Sequence, residues 1–120
     1  MENVVVVGAS SSEERYSNKA MKMLAEYGHN AIPVAPAGGM ILGRKVHAKI
    51  GDVPERVDTV TLYIGPKRQD GLFEQIIALK PKRVIFNPGT ENPPGYGKLR
   101  DAGIEVLEAC TMVMLRTGQF

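Results

Sequence analysis

The residues best suited to chemistry stand at the start of the chain, where the apolar run Asn3-Val4-Val5-Val6-Val7 stops at Gly8 and gives way to Ala9-Ser10-Ser11-Ser12. A glycine followed by small hydroxyl residues, between a strand-length apolar run and a helix, presents backbone amides and hydroxyls together. The chemistry of that arrangement is phosphate binding at a helix N-terminus. Arg15 and Lys19, one helical turn apart near the start of that helix, add positive charge or form an ordinary solvated pair. The other reactive residue types are sparse. Cys110 is the only cysteine, so it has no disulfide partner within the chain. It is either a small buried hydrophobe or a thiol near a ligand. His29 and His47 have no Cys, Asp or Glu at metal-ligand or triad spacing, which assigns both to structural roles. Glu91 and Glu108 act as a carboxylate pair only if the fold brings them together.

The elements that must hold these residues follow from the apolar pattern. After the first strand, residues 18–25 have helical spacing and Gly28 caps their end. Further strands are expected at residues 29–34, at 57–64 before Gly65-Pro66, at 83–87 before Pro88-Gly89, and at 104–108. Helices are expected at 69–80, where Leu72, Ile76 and Leu79 share a face, and at 96–102, ahead of Gly103. Residues 36–50 read as a loop with one short helix near its end. Strands alternating with helices imply right-handed crossovers, and hence one doubly wound, mainly parallel five-stranded α/β sheet with helices on both faces. At 120 residues the chain is expected to be a single domain.

Composition narrows the partners. Fifteen Lys and Arg against thirteen Asp and Glu leave a net charge of +2, and the basic residues are scattered instead of interleaved with aromatic ones. That pattern disfavours nucleic acid. No apolar run is long enough for a membrane span and no secretory leader is visible, so a cytoplasmic protein is expected. The apolar tail Thr111-Met112-Val113-Met114-Leu115 packs internally or against a second copy, which leaves a homodimer or a regulatory subunit open.

Ligands of such sheets bind beyond the carboxyl ends of the strands. Those ends carry Gly8-Ala9-Ser10, Pro33-Val34-Ala35-Pro36, Tyr63-Ile64-Gly65-Pro66 and Asn87-Pro88-Gly89. The recurring prolines are expected to leave carbonyls unpaired and to form uncharged walls for a flat base. A dinucleotide fingerprint is absent, because Ser10 and Glu13 stand where its second and third glycines belong and strand two ends without a carboxylate. NAD is therefore disfavoured, and a P-loop is excluded.

Val7-Gly8-Ala9-Ser10, Arg15-Tyr16-Ser17-Asn18-Lys19-Ala20, Pro33-Val34-Ala35-Pro36, Asn87-Pro88-Gly89-Thr90-Glu91-Asn92 and Glu108-Ala109-Cys110-Thr111 carry a further signal. Over nearly its whole length the chain resembles the small bacterial stand-alone CoA-binding proteins, Rossmann-like domains related to that of the succinyl-CoA synthetase alpha subunit. The resemblance implies coenzyme A or an acyl-CoA held across the strand ends. Gly8, Ala9, Ser10 and Ser11 would form the phosphate turn, with Arg15, Ser17 and Lys19 beside it. Pro33, Val34, Pro36, Tyr63, Ile64 and Pro66 would line the nucleotide pocket, and Asn87, Pro88 and Gly89 the rest of the ligand. In one respect the chain departs from the synthetase: Pro36-Ala37-Gly38-Gly39 replaces a basic residue after strand two. The resulting expectation is a non-catalytic binding module. The alternatives are an acyl-transfer or thiol-redox enzyme acting through Cys110 and an NAD-type regulatory module.

Overall fold

The structure, a computed structural model, describes residues 1–120. In chain order the elements are β1 (Asn3–Val7), α1 (Tyr16–Glu26), β2 (Asn30–Val34), a hairpin of β3 (Met40–Ile41) and β4 (Arg44–Lys45), β5 (Thr59–Leu62), α2 (Leu72–Leu79), β6 (Arg83–Phe86), α3 (Tyr96–Asp101), β7 (Glu105–Glu108) and α4 (Thr111–Arg116). The main sheet has the order β2-β1-β5-β6-β7, and every pairing in it is parallel. The chain first steps outward from β1 to β2, then crosses back to β5 and continues the other way. The strand order thus reverses between β1 and β5, which opens a crevice at their carboxyl ends.

The valine run of β1 is explained by burial on both faces. Val5 and Val7 join the core formed with α2 and α3, which includes Ile76, Phe86 and Leu99. Val4 and Val6 join the opposite core, with Met21 and Leu24 of α1, Ile41 of the hairpin and Leu115 of α4. A strand covered on both sides has no use for polar alternation. The doubly wound sheet with helices on both faces is therefore the observed fold.

One local expectation changes, at the loop after β2. Residues 40–45 form a hairpin, and a 3-10 turn (Ile50–Asp52) supplies the short helix expected near the end of that loop. The hairpin turns through Leu42 and Gly43, both at positive φ (50° and 74°), as a two-residue turn requires. Leucine is a poor advertisement for such a turn. The tail forms α4 and packs internally, with Met112, Met114 and Leu115 buried. Pro33 lies inside β2, as the expected strand over 29–34 has it; β2 is an edge strand of the main sheet, where a missing N–H is tolerated.

Gly95 shows how closely the α2–α3 face is packed. A Cβ there would lie 1.6 Å from Cε2 of Phe73, whose ring meets Phe86 edge-on at 6.1 Å. Gly95→Ala should therefore lose about 1–3 kcal/mol through overpacking, read as a lower urea midpoint at unchanged slope.

Candidate functional site

The crevice between β1 and β5 begins with the exit of the chain from β1. Gly8 has φ +85°, and a Cβ on it would come within 2.6 Å of Cγ2 of Ile64 and 3.1 Å of the Tyr63 carbonyl group. Only glycine meets both demands. The amides of Gly8 and Ala9 both donate to the carbonyl of Val34, at 3.0 and 3.3 Å, while Tyr63 donates to Val7 at 2.9 Å. The ends of β2, β1 and β5 are thereby tied together.

Two expectations about this turn are corrected by those bonds. The Val34 carbonyl is occupied, that of Pro33 accepts from the His47 amide at 3.0 Å and that of Ala35 from the Gly38 amide at 3.1 Å, so of the proline-bearing end of β2 only the Pro36 carbonyl is left unpaired. The Gly8 and Ala9 amides, in turn, are already used. The donors left over lie further along. Ser10 makes no bond through its amide, and neither Tyr16 nor Ser17 has a backbone partner at the start of α1. The residue capping that helix is Arg15, which makes no side-chain cap bond, and the first turn contains no acid. An eleven-residue helix therefore points uncapped amides and the positive end of its dipole at the crevice.

The resulting cleft has a volume of about 360 Å³. Of the expected site residues, it brings together Gly8, Ala9, Ser10, Arg15, Ser17, Pro36, Tyr63, Ile64, Pro88 and Gly89. Val34 lines an adjoining depression of about 240 Å³ shared with Lys49, Arg68 and Asp70. Ser11, Lys19 and Pro66 are exposed and line neither space. Lys19 lies instead over the Tyr16 ring, 5.6 Å from its centre. Pro33 faces the groove behind the hairpin, next to Arg44 and Lys45.

Asn87 is placed differently from the expectation of a ligand contact. It is buried, and its Nδ2 donates to Thr61 Oγ1 at 2.6 Å and to the Leu62 carbonyl at 2.8 Å, while its Oδ1 accepts from the Thr111 amide at 2.9 Å. Its side chain fastens the start of α4 to the middle of the sheet. Arg68 and Thr90 are cleft residues that sequence reasoning passed over. Arg68 lies in the 3-10 turn Pro66–Arg68, and nothing in the motif of strand five signals which side chain of that turn folds back.

A second chamber of about 310 Å³ adjoins the cleft, sharing Tyr16, Tyr63 and Pro88 with it and adding Asn87, Cys110, Met112 and Arg116. Cys110 is half-buried in this wall, and no His, Asp or Glu lines the chamber beside it. Burial pushes the Tyr63 hydroxyl up to about 12; the hydroxyls of Thr111 and Thr61 temper the shift. Those two hydroxyls bond each other at 2.8 Å, which leaves the Tyr63 oxygen without a partner of its own.

The remaining titratable candidates serve the scaffold. His29 sits at the opposite, amino edge of the sheet, where its Nδ1 accepts from the Glu2 amide at 3.0 Å and its ring packs on Phe120. Burial holds its pKa below the ordinary value. His47 extends the edge of β2 through its backbone. Glu91 accepts from the Gly89 amide at 2.9 Å and Glu108 from the Tyr96 hydroxyl at 2.8 Å, so the two are engaged separately.

A doubly wound parallel domain with a glycine-lined cleft at its switch point belongs to the broad class of Rossmann-like α/β folds. Within that class the chain is a member of the CoA binding domain family, whose profile matches residues 2–116. A crystal structure of an uncharacterized protein is 44% identical, with a TM-score of 0.94 and coverage of 100% of this chain and 98% of that one. A hypothetical protein from Pyrococcus horikoshii is 32% identical, with a TM-score of 0.92 and coverage of 97% and 82%. The chain also matches part of a dinucleotide-forming acetyl-coenzyme A synthetase from Ca. Korarchaeum cryptofilum, at 20% identity and a TM-score of 0.75, over 90% of this chain and 25% of the synthetase. That last likeness concerns the fold.

Two measurements test this geometry. Asn87→Ala strands the Thr111 amide and the Leu62 carbonyl, and should lower the unfolding free energy by about 2–4 kcal/mol. For Tyr63, the folded state holds its proton to a higher pH than the unfolded chain does. Above pH 10 the unfolded state ionises first, so stability should fall between about pH 10 and 12. Denaturant midpoints across that window should fall less steeply in Tyr63→Phe than in the wild type.

Proposed function

We propose that the chain is a binding module that holds coenzyme A or an acyl-CoA in the β1–β5 cleft and performs no chemistry on it. The observation that carries this reading is the uncapped start of α1 converging with Arg15 and Arg68 on one cleft. A good N-cap residue is worth about 1 kcal/mol to a helix. Here that position is given to an arginine, and a bound phosphate would supply the missing acceptors and take up its charge.

The fit extends past the phosphates. Gly8, Ala9, Gly65 and Gly89 line the cleft with almost no side-chain bulk, so a ligand can approach the backbone closely. The Ser17 hydroxyl makes no bond within the protein and adds a donor. The adjoining depression combines the apolar Val34, Pro36 and Ile64 with Lys49 and Arg68, a suitable lining for a nucleoside that carries a further phosphate. One carboxylate, Asp70, also lies there and weakens the field without reversing it. The thiol or thioester chemistry of the ligand is its own.

Support for a non-catalytic role comes from what surrounds Cys110. With no His, Asp or Glu in the chamber wall, the thiol lacks the usual partner that would take its proton.

Calorimetric titration with CoA, acetyl-CoA, NAD and ATP tests the reading. Heat with CoA and acetyl-CoA is expected, and heat with NAD alone would overturn the assignment. Arg15→Gln and Arg68→Gln should each weaken CoA about five- to tenfold and should reduce the sensitivity of binding to salt. Incubation of the wild type with acetyl-CoA, followed by mass spectrometry, should return an unmodified protein and intact thioester.

A further inference from the structure

The chamber next to the cleft has a composition unlike that of the phosphate site. Tyr16, Tyr63, Pro88, Cys110 and Met112 give it mostly apolar or weakly polar walls, and the one charged residue in its lining is Arg116. Asn87 contributes little to a ligand, since both its amide nitrogen and its oxygen are already bonded. Arg116 is the last residue of α4 and has no carboxylate within 4.0 Å.

With a volume of about 310 Å³ the chamber has room for a short acyl group. The lone guanidinium bears on what that group carries at its end. A neutral acyl end would set apolar atoms against an unpaired cation, whereas a carboxylate matches the planar fork of arginine.

Resting on the CoA reading above, we infer that the chamber receives the acyl group of the ligand and prefers acyl thioesters that end in a carboxylate, with Arg116 as the selecting residue. The aromatic faces of Tyr16 and Tyr63 pack on the methylene groups, and Met112 adapts to their number. Arg116 touches the acyl end alone, so the nucleotide end of the ligand is bound without it.

Titrations with CoA, butyryl-CoA and succinyl-CoA decide the matter, since the last two share a four-carbon chain and differ in the terminal carboxylate. Succinyl-CoA should bind the wild type about five- to tenfold more tightly than butyryl-CoA, and the difference should shrink as salt is raised. In Arg116→Gln that preference should vanish while affinity for free CoA stays as it was. Equal binding of the two thioesters by the wild type would overturn the proposal, as would a preference that survives in Arg116→Gln. A variant weakened equally for all three ligands would make Arg116 a contact for the common part of CoA and would overturn it as well. If free CoA itself fails to bind, the broader reading falls first and takes this one with it.

Discussion

The close approach of the chain at Gly8 to the end of β5 is the constraint from which the cleft follows. The backbone leaves β1 at φ +85° with no room for a Cβ against Ile64 and Tyr63. With that space closed, the chain has to turn outward through Ala9 and Ser10, and the Val34 carbonyl takes the two amides that the turn exposes first. Asn18, almost wholly buried, then catches the Ser10 carbonyl with its Nδ2 at 2.9 Å and so ties the turn to the first turn of α1. The helix start is thereby held over the crevice by the core itself. Its orientation needs no ligand.

A second consequence concerns the far wall. Beyond β5 and β6 the chain turns at Gly65-Pro66 and Pro88-Gly89, and Gln69 spans these turns by donating from Nε2 to the Ile64 carbonyl at 3.0 Å and to the Thr90 carbonyl at 2.7 Å. A buried amide that bridges two loops fixes their separation more firmly than surface contacts would. Arg68 enters the cleft from a turn one residue before this brace. Arg15 and Arg68 thus line one space from separate segments of the chain instead of side by side on a helix.

Much of this was legible in the residues. A run of four valines ending in glycine means a strand buried on both faces, and Val4 to Val7 divide between the two cores as that reading requires. The alternation of strands and helices gave the sheet class, and the strand ends named from the residues supply much of the lining of the β1–β5 cleft. What escaped depends on contacts between distant segments. The hairpin turned on Leu42 at positive φ, a conformation that leucine does not announce. Asn87 looked like a ligand residue because it ends a strand, yet it bonds Thr61, Leu62 and Thr111, a partnership that only the packing of α4 creates. Lys19, four residues beyond Arg15, lies over the Tyr16 ring and not in the cleft lining, a contact that spacing alone does not announce.

The distribution of charge favours the carboxyl edge over the amino edge as the proposed binding face. Along the amino edge, Arg83 is partnered by Glu2 at 3.3 Å and by Thr59, and lies over the Phe120 ring at 4.4 Å. Asp58 accepts from the Asn3 amide at 2.8 Å and pairs with Lys82, and those contacts hold its pKa below the usual carboxylate range. These groups answer one another, and an incoming ion would have to break a bond to enter. At the carboxyl edge Arg15 and Arg68 have no acidic partner within 4.0 Å, and the amides of Tyr16 and Ser17 have no acceptor. An unpaired surface arginine is ordinary by itself. Two of them lining one glycine-rich cleft together with uncapped helix amides leave an excess of donors there, and an anion corrects that imbalance without displacing any bond of the fold.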